Sequence, residues 1–258
     1  MTDDEFRCST SSRDDDEPLA GTAPTDSAML FLEHAGAWGR QAVAQSRLPQ
    51  AVKDHLAGLP GLRVQLIRRH GGETGPGVRV FHAVACEGGF VVTTAVLARV
   101  DDIVALDLSS DLVPHELGLW LVCTNGRRDR CCAEIGRPIT AALAARWPEE
   151  TWETTHLGGH RFSGTLLALP SGHTLGRLSP HNCVEACQEI ERGGVPASLS
   201  RGRAGRSGAE QVRELHVLAG GHPDAEIVEV RGPERRQSCG DLAVKGTSRF
   251  EVRNPQGP

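Results

Sequence analysis

The sequence predicts an α/β fold. Short apolar segments of strand length alternate with stretches of helical spacing, and Gly and Pro clusters separate them. No apolar run reaches the roughly 18 residues that a membrane-spanning helix needs.

The elements follow in order. Residues 1–27 are acidic and rich in Ser, Thr and Pro, a composition that offers little apolar surface to offset ordering, and they read as a flexible arm. From Ala28, AMLFLEH suits a strand, and AWGRQAVAQSRLPQAVKDHLAG has helical spacing interrupted at Pro49. LRVQLIRRH and GVRVFHAVAC are alternating and β-branched, and GGETGPG between them is turn-forming. DDIVALDLSSDL reads equally as a strand between turns or as a short helix and then a strand.

ELGLWLVC, residues 116–123, is an apolar strand that delivers Cys123 at its end; NGRRDR is a loop, and CAEIGRPITAALAARW is a helix with Cys132 at or near its N-terminus. TWETTH is a strand ending in the HLGGH loop, and GTLLALPSG pairs with HTLGRL around Pro170 to Gly172. Ser179 and Pro180 introduce the helix HNCVEACQEIER, which stops at Gly193 and Gly194. LSRGRAGRSGAE is a loop, EQVRELHVLAG a helix, and AEIVEV and SRFEV late strands.

The second half thus reads β, α, β, β, β, α, the order of a thioredoxin-like domain. The first half resembles it weakly, which leaves room for a degenerate duplication. The expected organisation is an arm (1–27), an N-terminal α/β half (28–112), a thioredoxin-like domain (113–194) and a closing segment of helix and strands (195–258).

Hydrophobic residues make up 39% and charged residues 24%, so the chain is neither fibrous nor wholly disordered, and at 258 residues it can bury a core without staples. A net charge of -5 gives no general attraction to phosphate backbones or anionic lipid, which speaks against nucleic-acid and membrane partners. The first residues lack a cationic start followed by an apolar stretch. The expected address is therefore cytoplasmic, and in a reducing compartment eight cysteines suggest metal or redox chemistry before disulfides.

Four donor residues gather between 123 and 160: Cys123 and Cys132, eight residues between them, and His156 and His160, three residues between them. Both groups fall at ends of predicted strands, where cofactors collect in α/β sheets. A thiol at a helix N-terminus near Arg127, Arg128 and Arg130 is readily deprotonated. Gly158 and Gly159 let the backbone turn sharply between the two imidazoles. By spacing alone, a structural zinc and an iron-sulfur centre stand equal.

CTNGRRDRCCAEIGRPITAALA, followed by WETTHLGGHRFSGTLLALPSGHTLGRL, closely resembles the sucrase/ferredoxin-like family, as do CSTSSRDDDEPLAGTAP, EHAGAWG and SRGRAGRSGAEQVRE. The resemblance implies a thioredoxin-like ferredoxin domain with a [2Fe-2S] cluster held by Cys123, Cys132, His156 and His160, and one-electron transfer between donor and acceptor proteins whose identity the sequence does not give. Alignment on Arg128 and Asp129 selects Cys132, and a shift of one residue would select Cys131. Asp129 would cap the helix or receive a proton from a liganding imidazole. Arg127, Arg128, Arg130, Arg137 and Arg161 would guide an acidic partner or simply face solvent.

The alternatives are a structural zinc protein with the same ligands and a thiol enzyme acting through Cys131 and Cys132. No CxxC, GxGxxG or GxxxxGK[ST] occurs, which removes the usual dithiol and nucleotide motifs, and nothing supports sugar hydrolysis. Cys183 and Cys187, four apart on a helix, read as buried packing residues. His173 and His181 read as structural, and Cys8, Cys86 and Cys239 carry no assigned chemistry.

Overall fold

The computed structural model describes residues 5–72 and 75–253, so part of the GGETGPG turn and the chain ends lie outside the described residues. The chain begins with α1 (Cys8–Asp14) and continues through β1 (Ala28–Glu33), α2 (Gln50–Ala57), β2 (Arg63–Arg68), β3 (Val78–Cys86), β4 (Gly89–Leu97) and β5 (Val113–Pro114). It then runs through β6 (Leu119–Cys123), α3 (Arg130–Arg146), β7 (Thr151–Thr154), β8 (Leu166–Leu169), β9 (His173–Leu175), α4 (Cys183–Glu191) and β10 (Ser200–Arg203). The closing elements are α5 (Gly208–Leu218), β11 (Glu226–Arg231), β12 (Arg235–Ser238), β13 (Asp241–Lys245) and β14 (Ser248–Arg253).

One mixed sheet of ten strands, in the order β10-β9-β8-β6-β7-β2-β1-β3-β4-β5, organises the molecule. The same pattern occurs twice within it. β1 is parallel to β2 and antiparallel to β3, which is antiparallel to β4; β6 is parallel to β7 and antiparallel to β8, which is antiparallel to β9. Each parallel pair needs a crossover, and α2 and α3 supply them. Each set therefore has the thioredoxin-like order. The two sets join edge to edge through antiparallel pairs Ile67 with Thr154 and Arg68 with Glu153, which closes two otherwise open strand edges.

Strand β6 lies between β7 and β8 and is buried on both faces. Leu119, Leu121 and Cys123 face a core with Phe31, Phe81 and Trp152; Trp120 and Val122 face one with Ile139, Leu143 and Leu166. That double burial is why LWLVC, residues 119–123, is continuously apolar rather than alternating. Cys183 and Cys187 sit in the second core and pack as small apolar groups.

The N-terminal segment differs from the flexible arm expected of its composition. Cys8, Ser9, Ser12, Glu17 and Leu19 are buried, Glu17 pairs with Arg161 at 2.8 Å, and Arg177 donates to the Ser12 and Glu17 carbonyls at 3.0 and 2.6 Å. Its acidic residues meet arginines of the folded body, so composition alone overstated the cost of ordering it. Part of LSRGRAGRSGAE, read as a loop, is the edge strand β10, paired with β9. The hairpin β12-β13 has no counterpart in the sequence reading, because RRQSCGDLAVK lacks the apolar alternation that marks a strand. DDIVALDLSSDL, residues 101–112, holds most of a 3-10 turn (Val100–Val104) and then only turns, and the short β5 begins just beyond it.

Candidate metal centre

Two loops at one end of the sheet build the site. The first leaves β6 at Cys123, whose N–H donates to the Thr165 carbonyl at 3.0 Å, and enters α3 through Asp129. Asp129 is an N-cap: its carboxylate accepts from the Cys131 N–H at 3.0 Å, and its carbonyl accepts from the Cys132 N–H at 3.1 Å. Cys131 and Cys132 thus occupy the first turn of α3, at the positive end of its dipole.

The second loop leaves β7 and carries His156 and His160. The His156 carbonyl accepts from Arg63 at 2.9 Å and from Gln65 at 3.2 Å, both on β2, so the first set of strands holds a loop of the second. Leu157 is buried among the same apolar residues as Cys123 and Cys132. Gly158 and Gly159 have φ of 90° and 65°, the left-handed region that favours glycine. A Cβ on Gly159 would lie 2.5 Å from the Arg201 guanidinium, so the second glycine also admits a close neighbour.

Arg201 is 2% exposed and donates to the Gly158 carbonyl and the Thr22 hydroxyl, both at 3.0 Å, and to the Thr22 carbonyl. Burial draws its guanidinium down to about 9, still charged at neutral pH. It is a fixed cation under the histidine loop, a role that an arginine in an arginine-rich chain does not signal locally.

Ligand atoms of Cys123, Cys132 and His156 all lie within 4.8 Å of one another. His156 Nδ1 is 4.0 Å from Cys123 Sγ, and His160 Nδ1 is 3.4 Å from His156 Nε2. Cys123, Cys132 and His156 therefore converge, and His160 stands next to them against His156. The Ser163 hydroxyl donates to Cys132 Sγ at 3.8 Å. Cys131, one residue away, turns instead toward Cys8 and Cys239. Adjacent residues on a helix point about 100° apart, so one register fits this site and the other does not.

Electrostatics favour an anionic sulfur. The Cys132 hydrogen bond, and then His156, hold the Cys123 thiol well below its ordinary value against the opposing effect of burial. Cys132, donor to Cys123 and buried, is pushed up. Burial and the neighbouring His156 hold His160 at about 4, so its imidazole is neutral, with a lone pair to offer, across the physiological range. His160 Nε2 is buried without a hydrogen-bond partner, and Asp129 Oδ2 lies 3.9 Å away, too far for one. Asp129 caps the helix, and its carboxylate accepts from the Cys131 and Cys239 amides, the Ser238 hydroxyl and the Cys8 thiol.

The arginines named in the sequence divide. Arg161 is paired with Glu17, whereas Arg127 and Arg137 are exposed and line an open cavity of about 370 Å³ with Trp38 and Arg68. A cavity of about 620 Å³ lies at the other end of β6 among Leu117, Trp120, Pro170 and Ile190 and touches none of the four candidate ligands.

The model of a sucrase/ferredoxin-like family matches residues 19–202. The chain is also 29% identical over 96 residues to "Altered inheritance of mitochondria protein 32" of Saccharomyces cerevisiae, in strains YJM789 and RM11-1a among others. That match covers 32% of this chain and 31% of the yeast protein. No solved structure matches. Among the described residues, no helix is long and apolar enough to cross a membrane. With its fold built around these paired residues and the family pattern running through most of its length, the chain belongs to the sucrase/ferredoxin-like family.

Proposed function

We propose that this protein is a one-electron carrier in which Cys123, Cys132, His156 and His160 would hold a [2Fe-2S] cluster. The pairing carries this reading: two thiols and two imidazoles stand side by side at one end of the sheet. A single tetrahedral ion asks for four donors about one point, whereas a two-iron centre with mixed ligation asks for two pairs. The residues fit the group: His160 Nε2 has no other partner, Cys123 favours the thiolate, and buried Leu157 covers the sulfurs.

Bound there, the cluster supplies a one-electron couple. The remaining work falls to the chain. Gly158 and Gly159 turn the loop so that His156 faces the Cys123 thiol and His160 stands beside His156, Arg63 and Gln65 hold the His156 backbone, and buried Arg201 places a positive charge beneath the loop. Exposed Arg127 and Arg137 offer a docking face for an acidic donor or acceptor protein. Residues 113–194 form the cofactor-holding domain and 28–112 a sister unit that braces it. All eight cysteines are free thiols, which suits a reducing compartment such as the cytoplasm.

The ligand types set the test. Exchanging His156 or His160 for Cys replaces a neutral donor with an anionic one, and the potential drops by on the order of 100 mV or more. A liganding imidazole loses its second proton more easily beside an oxidised centre than beside a reduced one. The native potential therefore falls as pH rises, by at most about 59 mV per pH unit for each proton coupled to one electron, and each His→Cys variant has a flatter slope. Potentiometric titration from pH 6 to 10 measures both quantities. Unchanged potentials in both variants would remove the histidines from the ligand set.

A further inference from the structure

A second group of thiols stands behind the first. Cys8 on α1, Cys131 on α3 and Cys239 at the tip of the β12-β13 hairpin are 1%, 1% and 3% exposed. Their sulfurs and a carboxylate oxygen of Asp129, itself 3% exposed, all lie within 4.8 Å of one another. Cys131 Sγ is 3.3 Å from Cys239 Sγ, Cys239 Sγ is 3.6 Å from Cys8 Sγ, and Cys8 Sγ is 3.5 Å from Asp129 Oδ1.

We propose that Cys8, Cys131, Cys239 and Asp129 form a structural zinc site, separate from the Cys123, Cys132, His156 and His160 centre. Zinc binds thiolates at about 2.3 Å in a tetrahedron, which sets neighbouring sulfurs about 3.8 Å apart. The observed sulfur separations of 3.3 and 3.6 Å reach that figure with shifts of a few tenths of an ångström.

The surroundings suit anionic sulfur. The Cys8 N–H donates to Cys239 Sγ at 3.3 Å, and the Ser9 hydroxyl donates to Cys131 Sγ at 3.2 Å. Cys131 also stands in the first turn of α3, where the helix dipole favours negative charge. Asp129 is oriented by the Cys131 and Cys239 amides at 3.0 and 2.8 Å and by the Ser238 hydroxyl at 3.0 Å, the kind of outer support that fixes a metal-binding carboxylate. A disulfide between Cys131 and Cys239 would use two sulfurs and leave Cys8 and Asp129 without purpose.

The site joins segments 231 residues apart in sequence, Cys8 and Cys239, to the helix whose next residue is Cys132. Its work would be to clamp both outlying segments onto the first turn of α3.

The test is metal analysis of the full chain grown with adequate iron and zinc. One zinc per chain is expected, in addition to iron. Cys239→Ser and Cys8→Ser lose that zinc and keep the iron. Where a serine variant does not fold, Cys239→Asp keeps an oxygen donor, and its Co2+ derivative answers the same question. Co2+ added to the zinc-stripped full chain gives intense near-ultraviolet thiolate-to-cobalt absorption, which Cys239→Asp reduces. Native protein without zinc and with no such absorption would overturn the proposal. So would a Cys131–Cys239 disulfide in alkylated protein, or zinc retained in both serine variants.

Discussion

Cys132→Ser is expected to yield a colourless protein without iron, and Cys131→Ser to keep its iron and colour. The contrast follows from helix geometry. Cys132 faces Cys123 and His156, and Cys131 faces Cys8 and Cys239. A serine hydroxyl is not deprotonated near neutral pH and is a poor iron ligand, so the first exchange removes half of the thiolate pair. The second acts on the other group and costs zinc. Metal content of the two purified variants, measured side by side, gives the answer. Iron lost from Cys131→Ser and retained by Cys132→Ser would reverse the register.

Gly136→Ala also strips the iron, although Gly136 offers no ligand atom. A Cβ there would stand 2.2 Å from the Cys123 carbonyl oxygen, closer than real contacts allow, and 3.2 Å from its carbon. Both atoms belong to the backbone at the end of β6, so neither can swing aside. The relief available is to lift α3 from the strand, and Cys132 lies one turn earlier on that helix. The gap between Cys123 and Cys132 opens as a result. Alanine gains up to about 1 kcal/mol in helix propensity over glycine, but overpacking of this kind costs about 1–3 kcal/mol and should win. Urea unfolding should show a lower midpoint with less iron per folded chain. A midpoint equal to or above that of the native protein would show that the helix and strand can separate without cost.

Much of the site was legible before the fold was known, and for definite reasons. Cys123 ends a strand buried on both faces, so its apolar run announces both the strand and its terminus. His156 and His160 flank two glycines whose left-handed backbone is a local requirement. The repeated strand order was only half visible, because the β2 to β7 pairing that joins the two sets rests on a few residues and leaves no periodic trace.

Cys8 and Cys239 are isolated in sequence, and only the fold shows that they meet. Their meeting with Cys131 is a long-range contact made through α1 and a hairpin with no apolar alternation. Likewise the acidic N-terminal segment is ordered by arginines distant in sequence, Arg161 and Arg177, which composition does not reveal.

Metal and sulfide content decides what Cys123, Cys132, His156 and His160 hold. Protein purified without oxygen is to be assayed for iron, acid-labile sulfide and zinc, then reduced and examined by electron spin resonance. The expected result is two irons and two sulfides per chain, with a spin signal that appears on reduction and disappears in Cys132→Ser. Colourless protein without sulfide, in which Cys132→Ser costs zinc rather than iron, would contradict the account.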